Sequence, residues 1–295
     1  MSNIGNQKKI WLITDSGCDI PEGWEQKYNI DIMPFSIMID DKEYWERVEL
    51  KPELFYELAR NSPGIPKTNQ ITVSRFEEKF LECLGEGVTD VIFVSINSAG
   101  SKTHENAVLA RKNLTESGRL GGMKVHIIDS HCYSIGYGYP IVEASKKINA
   151  GQSAESVAAY LEDWFSCVEI YLLAFDLRHA RKSGRITAAA GFLGEMMGIK
   201  PIISMIDEKT TIVKKSRGEK PAIDEAVALA LERRIPETPY CIVRSTCTEL
   251  EEYAISEMTK KSGMPPVMET VCGAAVASNA GVKFMGLIIR GQPRR

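Results

Sequence analysis

The sequence predicts an α/β fold: an N-terminal, mainly parallel sheet with flanking helices, followed by an α+β domain with a largely antiparallel sheet. Three observations carry this. Through the first half, short apolar runs ending in turn-forming polar residues alternate with helical patterns. In the second half strand-like runs crowd together, two of them joined by a four-residue turn signal. A length of 295 residues with 44% hydrophobic content also provides for two modest cores, which we place at 1–155 and 156–295.

In the first half the strands are residues 9–14, ending in Asp15-Ser16-Gly17, then 30–39, 88–95, and 123–129, ending in Asp129-Ser130. Helical patterns at 74–84 and 103–114 lie between them, the latter with Ala107, Ala110 and Leu114 on one face. In a sheet of this order ligands sit beyond the carboxyl ends of the strands, where Asp15, Ser16, Ser98, Ser101, Asp129 and Ser130 all fall. The pattern changes after a helical segment at 153–166, so the domain boundary is set within 151–166. Beyond it 169–175, 199–206, 211–217, 240–246, 266–272 and 284–290 read as strands. Residues 207–210 form the turn signal, and 221–234 and 249–262 read as helices.

The net charge of -3 arises from 36 basic and 39 acidic residues spread along the chain, with no basic block, so nucleic acid is not an expected partner. No apolar run reaches the length of a membrane span, and the start, MSNIGNQKK, lacks the apolar core of a signal peptide; a cytoplasmic protein is expected. Seven cysteines, Cys18, Cys83, Cys132, Cys167, Cys241, Cys247 and Cys272, are scattered without a C-x-x-C pair and read as reduced core thiols. In His126-Ile-Ile-Asp129-Ser-His131, strand alternation puts His126 on the opposite face from Asp129 and His131, so no shared metal is expected. No G-x-G-x-x-G, Walker A, H-E-x-x-H or G-x-S-x-G pattern occurs and no cofactor is expected, which favours a binding protein.

Four segments gather small and polar residues as a site would: Asp15-Ser16-Gly-Cys-Asp19, Lys67-Thr68-Asn69-Gln70, the corner from Ser98 to Thr103, and the run from Arg181 to Thr187. A strand that ends in small hydroxyl residues and turns at once into a helix leaves backbone N–H groups unpaired, a ready anion site. Each residue also has a plainer role. Ser98 or Ser101 caps the helix, Asp15 and Ser16 form an Asx-turn, Asp19 caps a turn, Thr68 is a loop hydroxyl, and Arg185 pairs with a surface acid. Taken singly, the plainer roles are favoured.

Taken in order, the chain resembles the DegV family of bacterial fatty-acid-binding proteins over nearly its whole length. The carrying residues are Thr14-Asp15-Ser16, Lys67-Thr68-Asn69-Gln70 where the family has T-S-Q, and Ser98-Ala-Gly-Ser101-Lys-Thr103 where it has S-x-L-S-G-T. Asp129-Ser130 with Ser134-Ile-Gly136, Gly184-Arg185-Ile186, Ile199-Lys200-Pro201-Ile202 and Arg217-Gly218 continue the series. The resemblance implies a long-chain fatty acid in an inter-domain tunnel, its carboxylate held by Thr68 and one of Ser98 or Ser101, aided by backbone N–H groups. It also implies a separate fatty acid kinase as partner, with Arg217 at the surface of encounter and Arg185 a nearer cation. For the tail, the Ala-, Gly- and Met-rich stretch 188–199 is a candidate lining, or else packs on its own sheet.

Some positions depart from the family pattern. Asn279 stands where the family carries a histidine, Val282 and Lys283 replace the following proline and glycine, Ile71 replaces a proline, and Lys102 replaces a glycine. An amide at 279 can donate a hydrogen bond but cannot become cationic, so either Lys102 or Lys283 supplies the missing charge or the head group differs. A reading from another class stands beside this one: an enzyme acting on a small phosphorylated or carboxylated metabolite at the serine corner, with Asp15 or Asp129 as base.

Overall fold

The structure is a computed structural model that describes residues 9–190, 198–206, 209–246 and 248–292. The first half builds β1 (Ile10–Asp15), a 3-10 helix (Ser16–Cys18), α1 (Trp24–Lys27), β2 (Ile30–Met33), β3 (Ser36–Ile39), β4 (Lys42–Trp45) and α2 (Pro52–Asn61). It continues with β5 (Lys67–Asn69), α3 (Val73–Gly85), β6 (Asp90–Ser95), α4 (Thr103–Glu116), β7 (Lys124–Asp129) and α5 (Ile135–Asn149). The second half comprises α6 (Ala154–Cys167), β8 (Val168–Ala174), α7 (Arg178–Ser183), α8 (Thr187–Ala190), β9 (Ile199–Ile206) and β10 (Lys209–Arg217). It ends with α9 (Glu219–Arg233), β11 (Tyr240–Arg244), α10 (Thr248–Ser262), β12 (Met268–Val271), α11 (Ala274–Ala280) and β13 (Phe284–Arg290).

Strands β2, β1, β6 and β7 form a sheet in that order, parallel throughout. Every residue of β6 is buried, as expected of a strand covered on both faces. The chain leaves β1 towards β2 on one side and returns as β6 on the other. This opens a crevice at the carboxyl ends of β1 and β6.

The single strand predicted over 30–39 is two strands. Pro34 has no N–H to give a ladder, so β2 ends before it and β3 turns away into a separate antiparallel sheet of order β4-β3-β5. Thr68 therefore lies in β5, opposite Ile37, and not in a loop.

The second half forms a six-stranded sheet, β10-β9-β8-β13-β11-β12, antiparallel except for the β11–β12 pair. The predicted hairpin joins β9 to β10; Asp207 and Glu208 of its turn lie outside the described residues. One face of this sheet, with Leu173, Ile242, Met285 and Leu287, packs on Ala226 and Ala230 of α9 and Met258 of α10. The opposite face, with Ile170, Leu172, Val243 and Phe284, joins the core of the first half.

Helix α5, which the periodicity reading passed over, runs between the two large sheets. Its glycines and Pro140 lower helix propensity, and each has a tertiary reason. A Cβ on Gly138 would lie 2.1 Å from the Cys18 carbonyl oxygen, so only glycine lets the two backbones approach. Pro140 cannot donate to the Gly136 carbonyl, which instead accepts the indole N–H of Trp164 at 3.4 Å.

Candidate functional site

A cavity of about 850 Å³ opens between the carboxyl end of the parallel sheet and the inner face of the six-stranded sheet. Its polar end carries Thr68 from β5, Ser98 and Ser101 from the corner after β6, Arg185 from the loop after α7, and Asn279 from α11. Its apolar wall is built from Ile170 and Leu172 of β8, Met205 of β9, Val243 of β11, and Phe284 and Gly286 of β13. Period-two alternation puts these side chains on one sheet face, and a glycine at 286 leaves room in its middle.

The corner is shaped by its own hydrogen bonds. Ile96 N–H donates to Asp15 Oδ2 at 2.7 Å, Ser98 N–H to Asp129 Oδ1 at 3.1 Å, and Ala99 N–H to Asn97 Oδ1 at 2.9 Å. Those amides are engaged internally, so the expected amide help for an anion does not come from them, and the hydroxyls face the cavity instead. Ser98 does not cap α4; Ser101 Oγ accepts the Thr103 N–H at 3.3 Å and lies 3.0 Å from the Thr103 hydroxyl. Gly100 sits against Tyr133, where a Cβ would fall 2.6 Å from the phenol oxygen.

Beneath the corner lies a buried acidic network. Asp15 accepts from Gly17 N–H, as the predicted Asx-turn requires, and from the Tyr137 hydroxyl at 2.6 Å; burial nevertheless pushes its carboxyl up to about 7. Asp19 accepts from the Ser134 hydroxyl, the Cys272 thiol and the Gly273 N–H, and burial outweighs these to raise it to about 6. Glu46 pairs with Ser16 and accepts the Ala275 N–H at 2.8 Å. Burial first, and the neighbouring Asp19 charge second, raise it to about 8. Asp19 and Glu46 thus hold the first turn of α11, whose Ala275, Val276, Asn279 and Ala280 line the cavity. Glu46 had no signal in the sequence beyond being one acid among many.

The predicted site residues divide. Thr68, Ser98, Ser101, Arg185 and Asn279 all reach the cavity wall. Asn279 spends one N–H on the Ala275 carbonyl of its own helix at 3.0 Å. Arg185 is exposed and donates to the Ser183 carbonyl at 2.9 Å, and among the described residues it makes no ion pair of the kind considered for it. Lys102 is on the wall, paired with Glu105 at 2.6 Å. Lys283 is off the wall and paired with Glu219 at 2.5 Å, which removes it as the missing charge. Arg217 is exposed at the end of β10, away from the cavity. Asp15 and Asp129, the bases of the enzyme reading, are not on the wall.

Of the stretch 188–199, residues Phe192, Leu193, Met196 and Met197 lie outside the described residues, and Ala189 is fully buried in the core. The six described cysteines are buried, and Cys247 lies outside the described residues. Among the described residues no helix is long and apolar enough to cross a membrane.

Comparison with known proteins agrees with this architecture. A DegV domain-containing protein of Clostridium perfringens is 26% identical over 294 residues, 97% of this chain and 99% of the relative. Another, from Clostridium acetobutylicum, is 30% identical over 215 residues, 73% of this chain and 75% of the relative. A structure described as fatty acid binding of a DegV family protein from Thermus thermophilus superposes with a TM-score of 0.83 at 25% identity, covering 96% of this chain and 100% of that one. A stearic acid-binding protein from Eubacterium ventriosum shares the fold with a TM-score of 0.84 at 20% identity, covering 96% and 98%. The family model described as "Uncharacterised protein, DegV family" matches residues 9–291, and the chain belongs to the DegV family.

Proposed function

We propose that the protein binds a long-chain fatty acid or a related acyl ligand in the cavity between its two halves and presents the carboxylate to a separate fatty acid kinase. The observation that carries this is one cavity of about 850 Å³ with hydroxyls at one end and an apolar sheet face at the other. The description of the Thermus thermophilus relative as fatty acid binding supports it. Thr68, Ser98 and Ser101 hold the carboxylate, each charge-assisted hydrogen bond contributing about 1.5–3 kcal/mol. The tail supplies most of the affinity. About fifteen methylenes at about 0.8 kcal/mol each give roughly 12 kcal/mol of gross transfer energy before ordering costs.

Arg185, exposed at the cavity rim, faces a transferred phosphoryl group, and Arg217, exposed but remote, meets the kinase surface. Native mass spectrometry of protein purified from cells, followed by solvent extraction, tests the binding reading: a co-purifying long-chain acid is expected. A consistently empty protein that turns over a small ester or phosphate would overturn it. For the partnership, Arg217→Ala leaves acyl binding unchanged and slows phosphorylation of the bound acid by a kinase of this type. Loss of acyl binding would place Arg217 in the pocket instead.

A further inference from the structure

We propose a divalent-metal site, suited to zinc, formed by Asp90, His126 and Glu155 at the end of the parallel sheet remote from the cavity. Asp90 opens β6, His126 is the third residue of the adjacent parallel strand β7, and Glu155 lies in the first turn of α6, which packs on both. One ligand atom from each lies within 4.8 Å of the others. Alternation along β7 separates His126 from Asp129 and His131, as the sequence predicts, and directs it to this different set. His131 instead pairs with Asp129 at 3.4 Å.

Two atoms of the set are unsatisfied. Asp90 is only 2% exposed, and neither its Oδ1 nor the buried His126 Nε2 has a hydrogen-bond partner among the described residues. Unpaired buried polar atoms are costly and rare in folded proteins. The two atoms lie 3.6 Å apart, too far for a good hydrogen bond. Two ligands about 2.1 Å from a tetrahedral ion are separated by about 3.4 Å, close to that spacing. The other Asp90 oxygen accepts the Thr89 hydroxyl at 2.9 Å, an outer contact that orients the carboxylate.

Glu155 completes the set. From the first turn of α6 its carboxylate comes within 4.8 Å of the other two ligand atoms. Its ion pair with Lys124, at 3.0 Å, is exposed and therefore cheap to exchange. Two carboxylates and a neutral imidazole match a doubly charged cation, and water takes the fourth position. Six residues of β6 at about 3.3 Å each separate this end of the sheet from the serine corner by roughly 20 Å, so the metal braces β6, β7 and α6 without touching the ligand.

The test uses the full chain, stripped with a chelator and titrated with zinc chloride by calorimetry and thermal melting. One zinc per chain is expected, with a raised Tm and unchanged fatty-acid affinity. Glu155→Gln, at an exposed position, and His126→Gln should each weaken zinc by about tenfold or more. Lys124→Ala should tighten it by freeing Glu155. Absence of saturable uptake by the stripped wild type overturns the proposal, as does uptake that both Glu155→Gln and His126→Gln leave unchanged.

Discussion

The carboxylate of Asp19 accepts the backbone N–H of Gly273 at 3.0 Å, joining residues 254 positions apart. With Glu46 on the Ala275 N–H, it holds the start of α11 against the end of β1 and so sets where the α11 wall of the cavity stands. Asp19→Ala would strand an amide, a thiol and the Ser134 hydroxyl in a buried site. The expected cost is about 2–4 kcal/mol in urea unfolding, with weaker acyl binding. Asp19→Asn, which keeps the shape, should lose less. Unaltered acyl affinity in a folded Asp19→Ala protein would show that α11 is placed by packing alone.

Glu46 offers a pH test. Its folded pKa of about 8 lies above the ordinary 4.5, so the folded state holds a proton that the unfolded state gives up between these values. Its contribution to stability therefore falls as pH rises from about 4.5 to about 8 and is lowest above that. Protonated, Glu46 can donate to Ser16 Oγ, which already accepts the Phe35 N–H at 2.9 Å, while Oε1 keeps the Ala275 N–H. Glu46→Gln mimics that form. It should be close to neutral, within about 1 kcal/mol, at pH 5, and more stable than wild type at pH 9. Parallel stability curves for the two proteins across this range would contradict a protonated Glu46.

Thr68→Ala and Ser101→Ala should each weaken a free fatty acid more than its methyl ester, because contacts to an ionised head are about twice as strong as those to a neutral one. Ser98→Ala tells which serine of the corner reads the charge. Equal losses for acid and ester in paired titrations would make these hydroxyls supports of the corner only.

Gly286 sits in the apolar wall, where an added Cβ meets Val243 Cγ1 at 3.1 Å and Ile170 Cγ2 at 3.6 Å. Gly286→Ala should keep the fold and narrow the cavity floor. Across a series of saturated acids the affinity loss should grow with chain length. A loss independent of length would place the tail elsewhere.

Asn279→His puts an imidazole on the polar wall. It should tighten a free fatty acid by about 1 kcal/mol at mildly acidic pH, the size of one hydrogen bond at a half-open site. The gain should fade as pH rises through the imidazole range, since only the protonated ring attracts a carboxylate. Titration of both proteins at a mildly acidic and a mildly basic pH decides it, and identical curves would separate residue 279 from the head group.

Local periodicity and turn chemistry determined much of this protein in advance. Apolar runs interrupted by helical patterns specify the parallel sheet, and the hydroxyls that follow β6 mark the polar end of the cavity, because these depend on residues near in sequence. Pro34 was visible too, and its missing N–H already argued against one strand over 30–39. Tertiary structure alone decided the rest. The central strands β8, β11 and β13 of the six-stranded sheet are buried on both faces, which erases alternation, so nothing local distinguishes the face that meets α9 and α10 from the one that lines the cavity. Helix α5 forms against its own propensities because Trp164 donates to the carbonyl that Pro140 leaves unpaired and the Cys18 backbone packs into the space that Gly138 leaves open. The grip of Asp19 and Glu46 on α11, and the meeting of Asp90, His126 and Glu155, join segments that only packing brings together. Their hydrogen-bonding and charge partners exist only once the chain has closed on itself.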